Sequence, residues 1–173
     1  MPTVEVTITY LEMEHPAMLH AAHAQRAGLS LERIDPPDSA AMAAHFYDDV
    51  GNAYYWMDRA EWTDTQWRDA LAEPGAELWV LRDDGDEAGF FLLTMPAPRT
   101  REIQYLGLLS GCEGQGLGAH LLTCAVERAW EAGADRVLVN TCTLDHPRAL
   151  PNYLARGFEV VRRRSEWREL PDG

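Results

Sequence analysis

The segment S-G-C-E-G-Q-G-L-G, residues 110–118, carries glycines at 111, 114, 116 and 118, between a strand pattern and the chain's best helix pattern. A strand that runs through glycines into a helix is suited to holding an anion. The first helical turn has unpaired N–H groups and the positive end of the dipole. Glycine lets that backbone approach a pyrophosphate without a Cβ in the way. A tight turn of purely structural purpose would use the same residues. The glycines do not match the G-x-G-x-x-G spacing of a dinucleotide fold, and they lie two-thirds along the chain. All fifteen basic residues are Arg. With no Lys, a phosphate loop of the G-K-[ST] type, Schiff-base chemistry and the S-x-x-K nucleophile are excluded.

Other reactive types give less. Cys112, Cys124 and Cys142 are odd in number and lack C-x-x-C spacing, so buried free thiols are expected and no metal is. His20 and His23 could share a helix face, but read as surface residues. Ser110 lacks the G-x-S-x-G elbow. Net charge is −13, which argues against nucleic acid and anionic membranes as partners. No apolar run is long enough for a membrane span, and the N-terminus lacks the basic and apolar regions of a signal peptide, so a cytoplasmic protein is expected.

The elements that must position the loop follow from periodicity. At 173 residues, one domain spanning 1–173 is the expectation. Val4–Tyr10 alternates as a strand, and Glu14–Gly28 reads as a loop or poor helix. Leu29–Ile34 is a second strand, and Asp38 or Ser39 should cap a helix to about Asp49. Thr63 caps a short helix that Pro74-Gly75 ends. Glu77–Arg82 and Ala88–Met95 form a hairpin about Asp-Asp-Gly-Asp, followed by the strand Arg101–Leu109. The helix from Gly116 to Glu131 sets Leu117, Leu121, Leu122, Ala125, Val126 and Ala129 against a polar stripe that includes Thr123 and Glu127. Val137–Thr141 is a strand, a helix starts at Asp145-His146-Pro147 and ends at Gly157, and Phe158–Arg164 closes the chain. The order predicts a mixed α/β domain of α+β character.

This arrangement resembles the GNAT acyltransferase superfamily, whose phosphate loop reads Q/R-x-x-G-x-G/A. Glu113-Gly114-Gln115-Gly116-Leu117-Gly118 fills that place, and Tyr153, Gly157 and Phe158 match the closing Y-x-x-x-G-F. The resemblance covers about Glu77–Arg164 firmly. It implies a central mixed, mostly antiparallel sheet of about six or seven strands flanked by about four helices and splayed between the family's fourth and fifth strands. It also implies acetyl-CoA as co-substrate, held by Leu106, Gly107 and Leu108 along the pantetheine arm and by Gly114–Ala119 at the pyrophosphate, with the Leu108 N–H as oxyanion donor. Glu113 stands where the family has a donor, so weakened or rearranged phosphate binding is expected. His146 stands at the place of the family's asparagine beside the cofactor.

The resemblance further implies Glu102 as general base and Tyr153 as proton donor to the departing thiolate. The alternation of R-E-I-Q-Y-L-G-L-L predicts Glu102 and Gln104 on the face of Leu106 and Leu108; a pairing of Glu102 with Arg99 or Arg101 at the strand's start is the alternative. Tyr55, Trp56 and Asp58 are candidates for an acceptor wall, or for a loop anchored to the core. The reading is an N-acetyltransferase acting on a primary amine of a small molecule or peptide by direct attack. A non-catalytic acyl-CoA-binding module, another acyl chain or a hydroxyl acceptor are the alternatives. A homodimer is expected through an exposed Val4–Tyr10 edge.

Overall fold

The computed structural model describes residues 1–172. Among them the strands are β1 (Thr3–Met13), β2 (Leu29–Ile34), β3 (Glu77–Asp83), β4 (Asp86–Ala97), β5 (Thr100–Leu108), β6 (Arg136–Cys142) and β7 (Glu159–Glu169). The helices are α1 (Asp38–Tyr54), α2 (Asp64–Ala72), α3 (Leu117–Glu131) and α4 (Ala149–Ala155). The strands form one sheet in the order β2-β3-β4-β5-β6-β1-β7.

Local chemistry explains several elements directly. The β3–β4 turn places Asp84 and Gly85 at φ 51° and 87°, the left-handed pair that a two-residue hairpin of right-handed twist requires. Thr63 and Gln66 form a reciprocal capping box at the start of α2. The apolar stripe of α3 is buried together with Leu11, Met13, Phe91 and Ile103 on one face of the sheet. On the other face Phe46, Tyr47 and Val50 of α1 and Trp67 of α2 pack on Phe90 and Tyr105. Each such large side chain, fully withdrawn from water, contributes roughly 2–3 kcal/mol.

Three expectations about the helices are corrected. α1 begins with no side-chain cap at Pro37 and continues to Tyr54, where Tyr55 at φ 56° stops it. α4 starts at Ala149, because the Asp145 carboxylate is committed to the preceding turn through Thr141 Oγ1 and the Cys142 N–H. Thr123, expected on the polar stripe, is fully buried.

The cause of that burial is the connection between β1 and β2, which runs as a strap along α3. The His20 N–H donates to the Arg156 carbonyl, the Ala22 N–H to Thr123 Oγ1 and the Ala24 N–H to His120 Nδ1, at 2.9–3.0 Å. The strap lets β1 lie between β6 and β7, antiparallel to both. Val4–Tyr10 is paired with β7 throughout and with β6 from Ile8 on, so it is an interior strand and not the exposed edge that was expected to carry a dimer. The free edges belong to β2 and β7, and Arg162–Arg164 are exposed on β7 as a solvated edge strand should be.

Two irregularities shape the centre of the sheet. β5 and β6 run parallel but pair only from Thr100 to Glu102, so the splay opens between these two strands, which correspond to the family's fourth and fifth. β5 also carries a bulge, since Leu92 pairs with Tyr105 but Leu93 with Ile103. The extra residue, Gln104, reverses the alternation. Ile103, Leu106 and Leu108 pack with α3 whereas Tyr105 packs with α1 and α2. Glu102 therefore faces the α1 side, opposite Leu106 and Leu108, contrary to the simple alternation.

α1 rests on β5 at Gly107, where an added Cβ would stand 2.5 Å from Val50 Cγ1. Val is β-branched and cannot turn aside freely. Gly107→Ala is expected to lower stability by about 2 kcal/mol through overpacking, read as a fall in the denaturation midpoint, with Val50→Ala in the same chain restoring part of it.

Candidate functional site

The splay opens a cavity of about 1260 Å³. Its walls come from β5, β6 and β1, the end of α1, the glycine loop and the start of α4, so residues far apart in sequence converge on one space.

On the loop side, Gly111, Gly114 and Gly116 have φ of 86°, 77° and 78°, conformations that other residues adopt only under strain. A Cβ at Gly114 or Gly116 would meet no protein atom within 4 Å, so the glycines serve backbone shape and leave open space above the α3 N-terminus. Gly118 is similarly roomy, with the nearest atoms at 3.9 Å. Leu117 is a core side chain, 1% exposed, and only its backbone faces the loop. Ala119 lies in the first turn of α3, its carbonyl accepting from Thr123 Oγ1. Gln115 is held by Arg26, whose Nη1 donates to Gln115 Oε1 at 2.7 Å. Arg26 also pairs with Asp83, and this strap cation beside the loop had no signal in the sequence.

Glu113 is turned to Tyr54, whose hydroxyl donates to Glu113 Oε1 at 2.9 Å. Burial and this carboxylate push the Tyr54 phenol up to about 12. Tyr54 in turn meets the His146 ring edge-on at 5.8 Å. The two departures from the family's pattern, Glu113 in the loop and His146 before α4, thus both meet one tyrosine at the cavity rim.

Along β5 the backbone beyond Glu102 has no partner in β6. The Leu109 N–H donates to the Ala88 carbonyl of the neighbouring β4 segment. By strand alternation the N–H groups of Leu108 and Leu106 point the other way, into the splay. The side chains of Leu106 and Leu108 pack against the α3 core, and Gly107 meets Val50.

Glu102 lies at the closed end of the splay. It is half-buried, and Asn140 Nδ2 donates to its Oε1 at 3.5 Å. Burial raises its carboxyl above the ordinary value of 4.5, and the Arg59 guanidinium opposes that rise. Neither Arg99 nor Arg101 holds it: Arg99 pairs with Asp135, and Arg101 donates to the carbonyls of Gly75 and Ala132. Asn140 was missed in the sequence, although a lone amide in V-L-V-N-T, on the face opposite buried Val139 and Thr141, was a signal.

Tyr153 is 7% exposed and stacks edge-on against Phe158 at 6.1 Å. It lines the cavity, and among the described residues nothing hydrogen-bonds its hydroxyl. Its phenol is raised by burial and by the Asp145 charge, which keeps it protonated at neutral pH.

The acceptor-side candidates divide. Trp56 lines the cavity and also packs on Tyr47 and Tyr105 at 5.6 and 5.1 Å, so it is anchored to the core as one of its two readings expected. Tyr55 is exposed at the rim. Asp58 reaches the cavity, but its two carboxylate oxygens accept from the hydroxyls of Tyr47 and Tyr105. Arg59 does not pair with it and instead stacks over Trp62 at 4.1 Å. Tyr10 and Arg168 complete the wall from β1 and β7.

A splayed sheet, a left-handed glycine turn above a helix N-terminus and a cavity between them are the architecture of a GNAT-type fold. The chain belongs to the acetyltransferase (GNAT) family, whose sequence profile matches residues 41–158. It is 34% identical over 83 residues to a mycothiol acetyltransferase of Corynebacterium aurimucosum, a match covering 46% of this chain and 27% of that one. A mycothiol acetyltransferase of Beutenbergia cavernae is 40% identical over 62 residues, 35% of this chain and 21% of that one. The match thus spans about a quarter of the length of those relatives. Among solved structures, a GCN5-related N-acetyltransferase from Sphaerobacter thermophilus superposes with a TM-score of 0.70 at 16% identity, over 100% of this chain and 54% of that one. One from Kribbella flavida gives 0.67 at 22%, over 95% and 58%. Among the described residues no helix is long and apolar enough to cross a membrane.

Proposed function

We propose that the chain is an acetyl-CoA-dependent N-acetyltransferase that moves an acetyl group to a primary amine of a small molecule or peptide by direct attack. The observation that carries this reading is a half-buried carboxyl and a free phenol hydroxyl on one cavity. Glu102 is turned by the bulge toward the α1 side at the closed end, and Tyr153 brings a free hydroxyl from α4. The matched relatives, named for acetyl transfer, support the reaction type and leave the acceptor open.

The residues fit the co-substrate. The open glycine turn at Gly114–Gly118 and the α3 N-terminus would hold its pyrophosphate, with His146 at the rim. The N–H groups of Leu106 and Leu108 would bond the pantetheine arm and the carbonyl. Acetyl-CoA supplies an activated thioester; the protein supplies position and charge. Glu102, once ionised, takes the amine proton directly or through water. The Leu108 N–H faces the developing oxyanion, where one preorganised donor contributes about 3 kcal/mol. Tyr153 donates to the sulfur that leaves. Tyr55, Trp56 and Asp58 border the acceptor side, Asp58 mainly by holding the hydroxyls of Tyr47 and Tyr105.

Steady-state transfer from acetyl-CoA to a panel of small amines tests the reading. Tyr153→Phe keeps the ring packing and is expected to lower turnover about 10²-fold while leaving the affinity for CoA unchanged. Turnover equal to the wild type would remove Tyr153 from the mechanism. Glu113→Gln removes a negative charge near the phosphates. It is expected to tighten acetyl-CoA binding about threefold at low salt, with a smaller gain at high salt, because exposed charges are screened.

A further inference from the structure

On the outer face of α3, away from the cavity, the strap brings one histidine against two helix residues. His120 and Cys124 are one turn apart on α3, and His120 Nε2 lies 3.6 Å from Cys124 Sγ. His23 comes from the strap, with its ring edge-on to His120 at 5.7 Å. One ligand atom from each of the three lies within 4.8 Å of the others. Glu127, a further turn along α3, accepts from His23 Nε2 at 3.2 Å. The sequence reading set His23 aside as a surface residue, because the strap's path along α3 was not visible in it.

We propose that His23, His120 and Cys124 form a three-residue site for a borderline divalent cation of the zinc type, clasping the strap to α3, with the fourth tetrahedral position left to water and Glu127 hydrogen-bonded to His23 beside it. Zinc–nitrogen bonds of about 2.0 Å and a zinc–sulfur bond of about 2.3 Å give a tetrahedral edge of roughly 3.5 Å between N and S. The His120 Nε2–Cys124 Sγ separation of 3.6 Å matches that edge. Imidazole and thiolate are ligands that such a cation accepts.

Binding has a defined proton balance. Cys124 gives its thiol proton to solvent and becomes the thiolate ligand. The Ala24 N–H donates to His120 Nδ1, which leaves the ring proton on Nε2. Ligation through Nε2 moves that proton to Nδ1, and the strap at Ala24 yields its hydrogen bond. A metal–thiolate–imidazole set contributes far more than the loss of that bond costs.

The test is titration of the metal-stripped chain with cobalt(II), followed by displacement with zinc. One equivalent of cobalt should give a thiolate-to-metal charge-transfer band in the near ultraviolet and the intense visible bands of a tetrahedral centre. Zinc should bleach both and raise the thermal midpoint. Cys124→Ala should abolish the charge-transfer band. His23→Ala, at an exposed position outside the core, should weaken zinc binding at least about tenfold, the loss that removing even a supporting group causes. Absence of the band at excess cobalt, its persistence in Cys124→Ala through Cys112 or Cys142, or unchanged affinity in His23→Ala would overturn the site.

Discussion

Glu102→Gln is expected to lower acetyl transfer by about 10²- to 10⁴-fold, the contribution of a positioned general base, and to raise the stability of the fold at neutral pH. Both effects come from the half-burial of the carboxylate at the closed end of the splay. Burial raises the carboxyl pKa in the folded chain above the unfolded value of 4.5. Ionised Glu102 therefore costs folding free energy at any pH above the folded pKa. That cost fades as pH falls from the folded toward the unfolded value, because the folded state then binds the extra proton. Glutamine carries no charge and still presents an Oε1 to Asn140, so the variant escapes the cost. Thermal midpoints of both proteins across pH 4–8 should separate at neutral pH and converge at the acid end. The wild-type rate should rise with pH through the raised pKa, and the variant should lose that limb. A variant as active as the wild type would show that water alone takes the amine proton.

Gly157→Ala should be the most damaging single-methyl addition in the chain, costing about 3 kcal/mol and lowering the midpoint by roughly 6–12 °C. Gly157 has φ of 105°, and a Cβ there would stand 1.9 Å from the Met18 carbonyl oxygen and 2.9 Å from its carbon. These are backbone atoms of the strap, fixed nearby by the bond from the His20 N–H to the Arg156 carbonyl, so no rotamer relieves the clash. Gly133→Ala is the comparison. It has φ of 92° with nothing within 4 Å, and should cost only the roughly 1–2 kcal/mol of a left-handed alanine. Equal losses at the two positions would mean that the strap does not lie against α4.

The contrast between these two glycines marks what sequence reading reaches. Gly157 was legible as the glycine of a Y-x-x-x-G-F ending. That it receives the strap's backbone was not, because the contact joins segments about 140 residues apart in the chain. The local signals held where local chemistry decides: the Thr63 cap, the Asp84-Gly85 turn, the stripe of α3 and the glycine turn before it. They failed where pairing decides. β1 alternates like an edge strand, yet it is enclosed by β6 and β7, since the strap is long enough to return the chain across α3 to the far edge of the sheet. Glu102 was singled out through the family resemblance but set on the wrong face, because the bulge at Gln104 arises from register against β4 and leaves no mark in β5 itself. Asp58 was read as part of an acceptor wall or of an anchored loop, and only the packing of α1 on β5 brings the hydroxyls of Tyr47 and Tyr105 onto it. Asn140, Arg26 and Tyr10 join the cavity and its loop for the same reason, through pairings and crossings that no window of sequence contains.

The central claim is that the splay and the glycine turn hold acetyl-CoA. Isothermal titration of the chain with acetyl-CoA, beside CoA and adenosine diphosphate, tests it most directly. Micromolar binding of acetyl-CoA and CoA, with weaker binding of the diphosphate that reaches only the loop, is the predicted result. No heat at millimolar acetyl-CoA would contradict the account, because the open turn at Gly114–Gly118 and the unpaired edge of β5 would then have no ligand to explain them.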